Sequence, residues 1–299
     1  MAYATYAEFP APAGANWFDV FRTLIPTEAR VGVESAMPIG IFERTPGTKV
    51  VVDVIEEARL VKTPYEIARN VHACQIVTAG HEKLLQLCRP GVPEAVIYGG
   101  VTQFMMAMVF RDIPTANIMV TNAKAAVWPP SISFDPHRIP SLGMPMENGG
   151  PLVSIVTAQV DRLWRGVGAH LLPRLRPRVG GGPLRRDAGG AGDGVRHGAP
   201  GAILAEIDRA VRAVIARHGY GDCILHRTGH GFGITGHEGP YVALGDERAL
   251  REGMLISIEP GIYVAGRGGF RHSDTVLITA DGCVSLTQAP ETLEALTIA

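Results

Sequence analysis

Apolar positions recur at helical spacing over the first long stretch of the chain. Between Thr63 and Cys88, the residues Ile67, Val71, Cys74, Val77, Leu84, Leu85 and Cys88 form one stripe. Thr63-Pro64-Tyr65-Glu66 supplies its start: threonine caps, proline fits the first turn, and glutamate returns to the cap amide. Arg89-Pro90-Gly91 ends it. A second helix is predicted over Glu94–Phe110, rich in methionine that reads as core filler and weakened by Gly99-Gly100. A third runs from Glu206 to His218, with Ile207, Ala210, Val211, Val214 and Ile215 on its inner face and Gly219 as its stop.

Elsewhere the apolar runs are short and bounded by turn residues. Ala29–Glu34 and Lys49–Ile55, with Thr45-Pro46-Gly47 between them, predict a strand-turn-strand unit. In the last third, Cys223–Leu225, Met254–Ile258, Gly261–Val264 and Thr275–Thr279 read as strands, and Ala280-Asp281-Gly282 as a hairpin turn. Helices early and strands late predict an α+β fold, with helices packed on one curved, mostly antiparallel sheet.

Composition narrows the class. The chain has 299 residues, 46% of them apolar and 19% charged, with a formal net charge of -1. That balance carries no electrostatic footprint for nucleic acid or an anionic membrane. No apolar run approaches the roughly 20 residues of a membrane helix. The amino terminus lacks the basic-then-apolar form of a secretion signal. Cys74, Cys88, Cys223 and Cys283 have no metal-like spacing and read as reduced thiols, so a cytoplasmic protein is expected.

The candidate chemistry is concentrated in two segments. His226, His230 and His237 lie in a glycine-rich run, and Glu259 follows within Gly253-Met-Leu-Ile-Ser-Ile-Glu259-Pro-Gly-Ile-Tyr263. Imidazoles change charge near neutral pH, and glycines let backbone approach a ligand closely. An ordered set of three histidines and an acid marks a cleft that moves protons or holds a cation.

These segments, with Lys62-Thr-Pro-Tyr-Glu-Ile67 and Gly269-Phe-Arg-His-Ser-Asp-Thr-Val276, resemble the pita-bread hydrolases of peptidase family M24: Xaa-Pro aminopeptidase, prolidase and the metal-independent creatinase. The resemblance runs from about Ala58 to Thr287. It implies a pita-bread catalytic domain over residues 58–290, with residues 1–57 the remnant or end of an amino-terminal domain. It implies a homodimer as well. In the metallopeptidase branch two Asp, one His and two Glu hold two metals. His230 and Glu259 match two of these positions; Ile155, Gly166 and Ser273 stand at the other three. No metal site is therefore assigned, and no cofactor is expected, with a manganese or zinc ion as the alternative. The resemblance to creatinase assigns His137 as proton shuttle, with His230, His237 and Glu259 as its catalytic partners, and His226, Arg271 and His272 to substrate binding. Arg271 and Asp274 are equally readable as a structural ion pair.

Residues 162–192 break the pattern. Arg, Gly and Pro dominate, without helical or strand periodicity. Codons chosen for Gly166–Arg174 give, one base later, Glu-Leu-Glu-Arg-Thr-Phe-Phe-Leu, the pattern the family shows there. Our hypothesis is a compensated frameshift; the alternative is a basic flexible insertion. The functional expectation is hydrolysis of a C–N bond in a small amide, guanidino compound or short peptide, without the usual dinuclear centre. The alternatives are a manganese- or zinc-dependent Xaa-Pro peptidase with substitute ligands, and an inactive binding relative.

Overall fold

The Thr63 cap behaves as its spacing requires. Its hydroxyl accepts from the Glu66 amide at 3.3 Å, and the Glu66 carboxylate accepts from the Thr63 amide at 2.8 Å. The helix so started, Pro64–Leu87, is the longest in the computed structural model, which describes residues 17–161, 163–173, 198–288 and 297–298. The chain divides into two compact units, Met1–Arg59 and Leu60–Ala299.

In the first unit, α1 (Trp17–Leu24) precedes β1 (Arg30–Val33), α2 (Ile39–Arg44), β2 (Thr48–Val51) and α3 (Val54–Leu60), whose last residue opens the second unit. The predicted strand-turn-strand unit is corrected here. β1 and β2 pair in parallel, Arg30 with Thr48 through Val33 with Val51. Parallel partners need a crossover, and α2 supplies it; Thr45-Pro46-Gly47 only ends that helix.

In the second unit, α4 (Pro64–Leu87) and α5 (Glu94–Asp112) pack on a four-stranded sheet of order β13-β5-β4-β3. Its strands are β3 (Asn122–Trp128), β4 (Leu152–Val160), β5 (Leu163–Pro173) and β13 (Thr297–Ile298). Ile76, Leu84, Ile97, Met105, Val127 and Val156 fill the layer between, all fully buried. At about 25 cal/mol per Å² of apolar area, this layer is a main source of the fold's stability. Met105 and its neighbours are core, as expected. The second sheet has the order β12-β11-β8-β6-β7, from β6 (Gly229–Gly231), β7 (Glu238–Val242), β8 (Leu255–Ile258), β11 (Asp274–Thr279) and β12 (Gly282–Ser285). A hairpin of β9 (Gly261–Val264) and β10 (Gly268–Arg271) forms a separate antiparallel pair. Helix α6 (Leu204–Arg217) buries Leu204 and Ile207 in a cluster with Val242, Ile256, Ile258 and Val276.

Two further expectations are corrected. Cys223–Leu225 is not a strand: Gly221–Cys223 is a 3-10 turn and the next residues are irregular. Leu163–Pro173 is a strand despite its composition, pairing antiparallel with β4 from Val160↔Leu163 to Leu152↔Leu171. The ladder is made of backbone groups, which arginine and glycine supply as well as valine does. Asp161 makes the turn between them at φ 47, a region that Asp tolerates better than most residues. The rest of the 162–192 segment lies outside the described residues apart from this strand. No helix among the described residues is long and apolar enough to cross a membrane.

Candidate active site

The second sheet gathers the chemistry. β6 carries His230, the start of β7 follows His237, and Glu259 directly follows β8. β6 pairs with both β7 and β8, which is why residues distant in sequence meet. Close approach is forced at Gly229, where an added Cβ would lie 1.9 Å from the Ser257 carbonyl oxygen. No side chain larger than hydrogen fits there without separating β6 from β8.

A second layer fixes the backbone of this run. Asp208 on α6, fully buried, accepts from the Thr228 amide at 3.0 Å and its hydroxyl at 2.6 Å. Its other oxygen accepts from Arg212 Nε at 2.8 Å and the Leu244 amide at 3.0 Å. The Thr228 carbonyl then accepts from the Glu259 amide at 2.7 Å, and Ser257 Oγ from the His230 amide at 2.9 Å. Every step is a hydrogen bond to a buried group, so the histidine run is held from below.

His230 Nδ1 donates to the Gly231 carbonyl at 2.9 Å. A carbonyl only accepts, so that nitrogen carries a proton, and Nε2 is the atom left to face Glu259 Oε1 at 3.2 Å. A lone pair facing a carboxylate is repulsive, so this contact calls for a second proton on His230 or for a cation between the two groups. The His237 ring lies 4.0 Å from the His230 ring, centroid to centroid. Burial, then the charges of His230, Arg227 and Arg271, outweigh Glu259 and push His237 down to about 4, so its imidazole is neutral at pH 7.

Glu259 Oε2 accepts from Arg271 Nη2. Both side chains are about nine-tenths buried, at 10% and 14% exposure. Burial raises the Glu259 acid, but the Arg271 charge and the bond from His230 outweigh it and hold the carboxyl well below the usual range. Tyr263 also hydrogen-bonds Arg271 and meets His226 Nε2 at 3.0 Å. His226 Nδ1 donates to the Arg227 carbonyl at 2.8 Å, and burial with the Arg271 charge lowers its pKa, so neutral His226 accepts from the Tyr263 hydroxyl.

Of the residues singled out in the sequence, His226, His230, His237, Glu259 and Arg271 converge. His137 is exposed, its amide donates to Asp135 at 3.0 Å, and its charge reaches His226. His272 is buried and turned to Asp274 Oδ2 at 3.0 Å. Of the two readings of Arg271 and Asp274, the ion pair takes another form: Arg271 pairs with Glu259, and His272 with Asp274. Sequence reasoning missed Tyr263, Asp208 and Arg227; Tyr263 stood in plain view, four residues beyond Glu259 in the same motif.

Three donors, from His230, His237 and Glu259, lie within 4.8 Å of one another, the one such cluster among the described residues. A cation about 2.1 Å from each ligand needs donors within about 4.2 Å of each other, a small rotation away. Two dications are another matter, since they need bridging carboxylates. Glu259 is the only carboxylate of the cluster, and one of its oxygens is held by Arg271. Ile155 and Ser273 offer no carboxylate. Among the described residues this cluster lacks the bridging carboxylates of a dinuclear centre.

The profile of metallopeptidase family M24 matches residues 192–280. The Xaa-Pro dipeptidase of Pyrococcus horikoshii is 29% identical over 276 residues, covering 88% of this chain and 74% of that protein. The Xaa-Pro dipeptidase of Pyrococcus furiosus is 27% identical over 289 residues, covering 92% and 78%. The crystal structure of the prolidase from Pyrococcus horikoshii OT3 superposes with a TM-score of 0.81 at 27% identity, over 92% of this chain and 78% of that one. These likenesses support a place in the M24 family; the chain has the pita-bread fold of these prolidases and is a hydrolase of the peptidase class.

Proposed function

We propose that this chain hydrolyses the C–N bond of a short peptide or related small amide, of the Xaa-Pro type its relatives are named for, by proton transfer within the histidine–glutamate cluster. The observation that carries this reading is the Glu259–Arg271 pair, which puts a fixed guanidinium charge against the cluster's one acid. Hydrolysis then needs a base for water and donors for the oxyanion. His137, whose charge reaches His226, takes the proton from water and returns it to the leaving nitrogen as the C–N bond breaks. Neutral His237 donates to the oxyanion through its one N–H, while His230, engaged by the Gly231 carbonyl and Glu259, holds the cluster in register. Glu259 orients His230, and Arg271 keeps Glu259 ionised. We further propose that residues 1–57 are the remnant or end of an amino-terminal domain, that the chain is a homodimer, and that 162–192 is a frameshifted segment.

A second reading is supported by the grouping of His230, His237 and Glu259: one divalent cation, manganese or zinc, held by these three. Turnover of alanyl-proline by the purified full-length chain separates the two. The first reading expects turnover unchanged by a chelator and by added Mn²⁺. Loss with the chelator and recovery with one equivalent of metal supports the second. No turnover under either condition removes both.

A further inference from the structure

His237 is exposed and belongs to no strand, yet its ring lies 4.0 Å from that of His230, which β6 buries. The turn between β6 and β7, residues 232–237, has to hold it there. Strand pairing alone does not: the register slips between His230, opposite Tyr241, and Gly231, opposite Glu238. A slip of this kind leaves residues outside the ladder and bends the strand. The turn is closed instead by a carboxylate folded into it. Glu238 Oε2 accepts from the Thr235 amide at 3.0 Å and from the Thr235 hydroxyl at 3.1 Å, a hydroxyl also 3.1 Å from the His237 carbonyl. Gly233 packs so closely on this group that an added Cβ would lie 2.0 Å from Glu238 Oε1.

The counter-ion arrives from a distant part of the chain. Lys62 Nζ donates to Glu238 Oε1 at 3.1 Å, and both side chains are 3% exposed. The Lys62 backbone is fixed in its turn: its amide donates to the Gly253 carbonyl at 2.9 Å, and Val61 bridges Met254. Met254 directly precedes β8, the strand that leads into Glu259. Lys62 thus ties the turn that carries His237 to the strand that positions Glu259. Taking two charges out of water is costly, so a buried pair is a poor source of net stability. Its best-attested use is to fix one arrangement among several.

We propose that Lys62 and Glu238 are positioning residues for the reaction: their buried pair sets the His237 imidazole against His230, and neither touches substrate. The oxyanion role of His237 rests on the function proposed above, so its position is tested without turnover as well as with it. In the full chain labelled with 13C-histidine, the rings of His230 and His237 should give a nuclear Overhauser cross-peak, assigned by its loss in His237→Ala. Glu238→Gln keeps the size of the side chain and an acceptor for Thr235 but removes the charge that holds Lys62. It should abolish the cross-peak in a folded protein; Lys62→Met should do the same, and Lys62→Arg should restore it. With alanyl-proline, Glu238→Gln should lower kcat about tenfold to a hundredfold with KM little changed, as for a displaced catalytic group. In a His237→Ala background the same substitution should cost no more than about twofold, because its effect runs through that ring. A cross-peak that survives in Glu238→Gln, a Glu238→Gln chain that does not fold by circular dichroism, or equal kcat losses with and without the His237 ring would each overturn the assignment. If the cross-peak behaves as expected but alanyl-proline is not turned over, the positioning stands and the catalytic reading falls.

Discussion

Replacing Arg271 by glutamine removes one of the two partners, with His230, of a carboxylate that is 10% exposed. Breaking a buried ion pair from one side costs about 3–5 kcal/mol, because the remaining charge stays desolvated. Against a total stability of roughly 5–15 kcal/mol this is a large fraction. The pH dependence has a definite sign. Glu259 is held below the usual carboxylate range, so its contribution is present at neutral pH and is lost as pH falls through the acid range. Arg271→Gln removes the main lowering influence, so the deficit is greatest near pH 7 and narrows below about pH 4. Urea unfolding followed by circular dichroism at pH 7 and pH 4 gives both numbers. A deficit under about 1 kcal/mol at pH 7, or one that grows on acidification, refutes the reasoning.

Other outcomes follow from the same geometry. Glu94 is buried, accepts from the Val127 amide at 2.9 Å, and burial pushes its acid up to about 7. Native protein therefore loses stability between about pH 4.5 and 7, where the unfolded chain alone is ionised; the full shift is about 3 kcal/mol, reduced to about 1–2 kcal/mol by screening. Glu94→Gln should abolish that slope in urea titrations, and an unchanged slope counts against it. Lys62 and Glu238 form a pair 3.1 Å apart, each 3% exposed, and Glu238 also accepts from the Thr235 amide at 3.0 Å. Lys62→Met should cost about 3–5 kcal/mol, with Lys62→Arg recovering part of it; a loss under about 1 kcal/mol contradicts a tight pair. Adding carboxylates in the double variant Ile155→Asp, Ser273→Glu should tighten manganese binding at least about tenfold in calorimetry. No gain removes the claim that these positions are what the site lacks.

How much of this was legible in the chain depends on which forces write a pattern. The α4 cap was readable because Thr63, Pro64 and Glu66 act locally. β6 and β7 were not: strands of three and five residues, broken by glycine and in β7 by proline, leave no period to read, and their pairing is not signalled locally. α2 was missed because it buries no residue and so shows no apolar stripe. β5 was missed for the opposite reason, a backbone ladder formed by residues without strand preference. The histidines and Glu259 were found from chemistry and spacing. Their partners were not, because Arg271 lies within reach of both Glu259 and Asp274 in sequence, and only the β9–β10 hairpin decides between them.

A dinuclear peptidase needs bridging acids, and the described cluster of His230, His237 and Glu259 supplies one carboxylate. Calorimetric titration of Mn²⁺ into the purified full-length chain, with the metal content of the recovered protein measured alongside, tests it most directly. The account predicts at most one equivalent bound. Two equivalents, with hydrolysis rising in proportion to the second, would contradict it.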